Sequence, residues 1–147
     1  MKYSPSIIII CATLSLNAIA KVNKFEDEIK ERKASFTQIE ELNDQIEADL
    51  KSDEIPWPVL LANSSNLLAA TSSLSGLFPQ GSHENSRAKQ KIWNTPTKFK
   101  NELALMDRHF HALNTAILQK DTNAAKLALK KANSTCNSCH RKYRSWW

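Results

Sequence analysis

Cys136-Asn137-Ser138-Cys139-His140 gathers the side chains of this chain best able to do chemistry. Two thiols three residues apart are followed at once by an imidazole. On a helix, positions 136, 139 and 140 share one face, so the three groups converge without unusual backbone. Two thiols at that separation suit the two vinyl groups on one edge of a porphyrin, and the next residue can turn its imidazole onto the iron. Cys-x-x-Cys-His is accordingly the form of covalent haem c attachment. The Cys-x-x-Cys part alone also serves redox disulfides and half of a zinc site. A thioredoxin-like pair calls for a βαβ setting. Zinc calls for a second ligand pair, for which the chain offers Cys11 and the scattered His83, His109 and His111.

The N-terminus supplies a compartment. Lys2 is a short positive n-region, Ile7 to Leu16 an apolar h-region too short to span a bilayer, and Ala18-Ile19-Ala20 an A-x-A cleavage site. Residues 1–20 therefore read as a cleaved secretory signal. Cys11 leaves with it, and the two remaining cysteines are both in the motif. Haem c is attached after export, so signal and motif support each other, and a bacterial periplasm is the expected location.

Residues 21–147 suffice for one domain with one core. Gly is scarce at two residues, while Ala, Leu, Lys and Glu are abundant, which favours helices. Lys and Arg outnumber Asp and Glu by 20 to 15. This is a mild basic bias, and with no RNA-binding aromatic motif or phosphate-cradling Gly loop it excludes a nucleic-acid partner.

Four periodic segments must position the motif. Phe25, Ile29, Phe36, Ile39, Leu42, Ile46 and Leu50 recur at helical steps, as do Leu60, Leu61, Leu67, Leu68, Leu74 and Leu77 in a segment from Pro58 to Phe78. Residues Pro79 to Thr95 form a long polar connection that Ile92-Trp93 anchors. Thr95 as N-cap and Pro96 at the first helical position open a third helix with the stripe Phe99, Leu103, Met106, Phe110, Leu113, Ile117. Met106 reads there as core. Asp121 or Thr122 caps the fourth, whose inner face is Ala125, Ala128, Leu129, Ala132, Cys136, Cys139 and Tyr143. The small residues before the motif leave room for a flat macrocycle or for close helix packing. The predicted fold is all-α: an antiparallel four-helix bundle with haem c near the C-terminus of the last helix.

Four stretches carry a family resemblance. Cys136-x-x-Cys139-His140-x-x-Tyr143-Arg144, Leu77-Phe78-Pro79-Gln80-Gly81-Ser82, Ile92-Trp93 with Phe99-Lys100, and Ile29-Lys30-Glu31-Arg32-Lys33 together resemble the cytochrome c′ family of class II c-type cytochromes. The resemblance implies one haem c held through Cys136 and Cys139, with His140 as the iron ligand. It implies propionate contacts from Arg32, with Lys33 and Arg87 as further candidates, and homodimers through the first two helices. It also implies that the residue four places after Arg32 decides the other iron face. A Met there gives a six-coordinate low-spin carrier. Here Phe36 stands in its place, which implies a five-coordinate high-spin iron under an apolar cap.

Two functions follow from that site. One is electron transfer, at a potential below that of a His/Met cytochrome, with a redox partner the sequence does not name. Lys126, Lys130, Lys131, Arg141 and Lys142 form a basic face that would steer an acidic one, or a plain solvated face. The other is binding of nitric oxide or carbon monoxide. The resemblance further implies that nitric oxide can displace His140 and meet Arg144, whose other reading is a solvent-facing or propionate-pairing residue. A six-coordinate low-spin carrier is the alternative. A haem enzyme is a weaker one, since peroxidase chemistry wants a distal His or Arg; no catalytic residue is expected.

Overall fold

Acidic residues open the first helix. Glu26, Asp27 and Glu28 fill the initial turn of α1 (Glu26–Asp49), where negative charge complements the helix dipole. The structure is a computed structural model that describes residues 24–146. The signal segment 1–20 lies outside the described residues. Pro56 and Pro58 separate α1 from α2 (Trp57–Ser72), with Pro58 inside the first turn of the new helix.

α2 ends earlier than the leucine spacing predicts. It gives way at Ser72 to a single 3₁₀ turn, Leu74–Gly76. The cause is local. The hydroxyls of Thr71, Ser72 and Ser73 donate to the carbonyls of Leu68, Ala69 and Ala70, competing with the helical ladder. Leu74 and Leu77 are buried all the same.

The long connection is also not wholly irregular. Lys91–Asn94 forms a one-turn helix, α3, which buries Ile92 and Trp93. α4 (Pro96–Leu118) follows directly. Thr95 is its N-cap residue, as predicted, and its carbonyl accepts from the Phe99 amide at 3.1 Å, but its side chain makes no capping bond: the hydroxyl donates back to the carbonyl of Lys91 at 2.9 Å. The predicted cap of α5 (Thr122–Tyr143) is present, with the Asp121 carboxylate accepting from the Ala124 amide at 2.9 Å.

The four long helices make the antiparallel bundle, joined α1 to α2, α2 to α4 and α4 to α5 by extensive packing. All six predicted stripe residues of α4 are buried. Phe110, Ile46, Leu60, Leu67, Leu113 and Ile117 lie at its centre. Ala125, Ala128 and Ala132 are buried against this core, where small side chains let α4 and α5 approach closely. α1 and α5, by contrast, make few direct contacts. Among the described residues there is no strand, only one isolated antiparallel bridge between Ala88 and Arg144.

Phe110→Ala, at 1 % exposure in the wild type, is expected to cost about 3–5 kcal/mol. Guanidinium unfolding of the haem-loaded protein checks this: the midpoint falls while the denaturant slope stays unchanged.

Candidate haem site

The side where α1 and α5 stand apart holds a cavity of ≈ 890 Å³. That volume is at the upper end of the range for small-molecule sites, about 300–1,000 Å³. All eight residues that the sequence singles out line it: Arg32, Lys33, Phe36, Arg87, Cys136, Cys139, His140 and Arg144. They come from α1, from the connector before α3, and from the end of α5. The alanines of α5 do not line it, so the room they leave serves helix packing and not the cavity.

Cys136 and Cys139 are half-buried in the wall and neither is in a disulfide. Burial pushes both thiols up, Cys136 with help from the charge of Glu40 and Cys139 to about 12 with help from Glu102. His140 exposes much of its surface, yet its imidazole is held below the usual histidine value. Loss of solvent on the cavity side is the main cause, and the neighbouring Arg144 charge adds to it while Glu40 opposes. A neutral imidazole keeps the lone pair that a metal needs. Among the described residues no three His, Cys, Asp or Glu side chains cluster to hold a metal ion.

Arg32 is buried. Its Nη1 donates to the Leu77 carbonyl at 3.3 Å and to Ser82 Oγ at 2.8 Å, and its Nη2 donates to the Ser82 carbonyl at 2.6 Å. Its guanidinium carbon sits 5.0 Å from the centre of the Phe78 ring. Burial pulls the guanidinium down from its ordinary value, partly offset by Glu28. These contacts occupy three of the five donors of an arginine and leave two for another acceptor. Lys33, Arg87 and Arg144 are exposed at the rim. Arg87 and Arg144 are drawn together by the antiparallel bridge, in which the Lys89 amide donates to the Tyr143 carbonyl at 2.9 Å and the Ser145 amide to the Arg87 carbonyl at 2.8 Å.

Several further residues of the wall are not among the site residues that the sequence predicts. Phe78, Phe99 and Tyr143 line the cavity, and Glu40 and Asn43 add polar groups from α1. Phe78 was visible inside a recognised stretch. Glu40 and Asn43 follow Phe36 at helical steps of four and three, the one signal that places them on its face. Met106 is core, as the stripe predicts, and also forms part of the wall from α4. His83 packs on Trp93 at 5.6 Å between ring centroids, while His109 and His111 lie along α4 outside the cavity wall. Trp146 is 81 % exposed and covers nothing in the wall.

The family model for cytochrome c′ matches residues 27–144, nearly the whole described chain. The chain belongs to the cytochrome c′ family. Cytochromes c′ carry one covalently bound haem c, and Cys136 and Cys139 are consistent with its attachment. Solved structures agree on the fold. The cytochrome c′ of Thermochromatium tepidum is 22 % identical with a TM-score of 0.78, covering 84 % of this chain and 98 % of that one. Cytochrome c prime of Shewanella frigidimarina is 26 % identical with a TM-score of 0.76, covering 81 % and 94 %. A nitric oxide complex of a cytochrome c prime variant from Alcaligenes xylosoxidans is 21 % identical with a TM-score of 0.78, covering 83 % and 96 %. No curated protein matches the sequence at a significant level.

With both thiols in the wall, each is expected to hold one thioether. In Cys136→Ala or Cys139→Ala the reduced pyridine complex of the haem should move its α band to longer wavelength. In the double variant acid–acetone should extract the haem. Haem that resists extraction from the double variant would contradict the assignment.

Proposed function

We propose that this cytochrome c′ is a periplasmic haem protein, exported by residues 1–20. In this reading its iron takes one ligand from the chain, His140, and is five-coordinate and high-spin. The protein serves electron transfer and the binding of nitric oxide or carbon monoxide. The observation that carries this reading is the placement of Phe36. It lines the cavity from α1, while the Cys136–His140 segment lines it from α5. α1 contains no Met, His or Cys that could bind iron from its side.

When bound, haem c supplies one-electron iron chemistry and an axial position for a small ligand. The chain supplies the rest. Cys136 and Cys139 fix the macrocycle to α5, and His140 offers its neutral imidazole. Arg32, Lys33 and Arg87 line the cavity and would offer positive charge suited to propionates. Arg144, next to His140, disfavours imidazole protonation. Phe36 presents hydrocarbon only, so it offers no hydrogen bond to dioxygen but leaves an apolar approach for nitric oxide and carbon monoxide. The Alcaligenes structure is of a nitric oxide complex, which supports the gas-binding part. Another neighbour, 20 % identical with a TM-score of 0.77, is a cytochrome c′ with ligand-controlled dimer dissociation. A homodimer through α1 and α2 is the matching proposal here, where Val59 of α2 is half exposed at 50 %.

No residue is assigned a catalytic role in this reading. The visible spectrum of the ferrous protein, before and after nitric oxide, tests the proposal. A broad high-spin spectrum that changes on addition is expected. Sharp α and β bands beforehand would overturn the open axial face, and no response to nitric oxide would leave electron transfer alone. Phe36→Met should convert the spectrum to low-spin, whereas Met106→Leu, at a wall residue of α4, should leave it unchanged.

A further inference from the structure

Four aromatic rings join the two walls of the cavity. Phe36 of α1 meets Phe78 edge-on, with centroids 6.4 Å apart and planes at 68°. Phe78 meets Phe99 of α4 in the same manner at 4.7 Å and 68°. Phe99 meets Tyr143, the last residue of α5, at 5.2 Å and 74°. Edge-to-face contacts of this kind resist rotation of either ring, because each ring edge sits on the negative face of the next.

Phe78 is the odd member of the row. The other three rings ride on long helices, but Phe78 comes from the connector beyond α2, where helix packing does not fix it. Arg32 fixes it instead. The guanidinium covers one side of the ring at 5.0 Å, while its hydrogen bonds to the Leu77 carbonyl, Ser82 Oγ and the Ser82 carbonyl hold the chain on both sides of Phe78. Gly81, at φ +91°, reverses the chain so that Ser82 can return to Arg32. Trp93 Nε1 donates to the Pro79 carbonyl at 2.8 Å and to that of Phe78 at 3.3 Å. Ser82 is 1 % exposed, so water does not compete for Arg32.

We infer that Phe78, clamped by Arg32, is a positioning residue for the open axial face: it holds the Phe36 ring in place and thereby sets how readily a diatomic ligand reaches the iron. Arg32 is then first a clamp on the distal wall and only with its remaining donors a partner for a propionate. The inference rests on the proposed role of Phe36. A ring that merely filled the core would affect stability and not act through Phe36.

The test is a double-mutant cycle on the ferrous haem-loaded protein, read as the carbon monoxide association rate after flash photolysis. Phe36→Leu and Phe78→Leu should each raise the rate about three- to tenfold, the scale of one lost edge-to-face contact. Adding Phe78→Leu to Phe36→Leu should change it less than about twofold further, because the ring on which Phe78 acts is gone. Multiplicative effects would overturn the inference while leaving the role of Phe36 intact. No effect of Phe36→Leu would overturn both. Ser82→Ala probes the clamp itself without touching a ring. It should raise the hydrogen-exchange rate of the Ser82 amide, bonded to the Pro79 carbonyl at 3.1 Å, and the carbon monoxide rate together. Either one unchanged would break the link from Arg32 to the distal wall.

Discussion

Amphipathic helices gain by closing on one another, since every apolar face removed from water lowers the free energy. This bundle closes along three of its seams and stays apart along the fourth, between α1 and α5. A cavity of ≈ 890 Å³ occupies that seam. The aromatic row from Phe36 through Phe78 and Phe99 to Tyr143 borders this gap from α1 to the end of α5. α5 instead packs extensively on α4, with Ala125, Ala128 and Ala132 buried in the core. The haem motif is thus presented by a helix whose opposite face is committed elsewhere.

The buried charge of Arg32 belongs to the same arrangement. An unpaired guanidinium there would be costly. The Leu77 carbonyl and both oxygens of Ser82 satisfy it, and the face of Phe78 covers it. Charge-assisted hydrogen bonds are among the strong ones, so a connector that could wander is held against α1. Only arginine can do this with several donors in a rigid fork, and a lysine would not replace it. A second tie is the bridge of residues 87–89 to 143–145, which links the connector to the end of α5. The connector is therefore held to both helices that flank the cavity.

Much of this was legible in the sequence because periodicity reports burial. The α4 stripe from Phe99 to Ile117 predicted its buried face residue by residue, and Cys-x-x-Cys-His with its flanking stretches pointed to the cofactor and the family. The misreadings have local causes. α2 stops short because Thr71, Ser72 and Ser73 turn their hydroxyls onto the backbone, a competition that leucine spacing does not register. Thr95 has a cap residue's identity but spends its hydroxyl on Lys91. α3 is too short to show a period. The alanines of α5 fitted two purposes, and only the structure shows them buried in the core and absent from the cavity wall. Glu40, Asn43 and the ring-to-ring contacts of the aromatic row went unassigned because they depend on which faces meet across the bundle, which one chain's pattern does not encode. The resemblance implied a propionate contact for Arg32, and its bonds to Leu77 and Ser82 on the connector lie 45 and 50 residues away, beyond what a local pattern encodes.

In the function proposed, the chain would bind the iron from one side only, through His140, with Phe36 on the other side. Resonance Raman scattering of the ferrous protein near neutral pH measures this directly. A five-coordinate high-spin pattern with an iron–histidine stretching band, lost in His140→Gly, is the predicted result. A six-coordinate low-spin pattern without that band would contradict it.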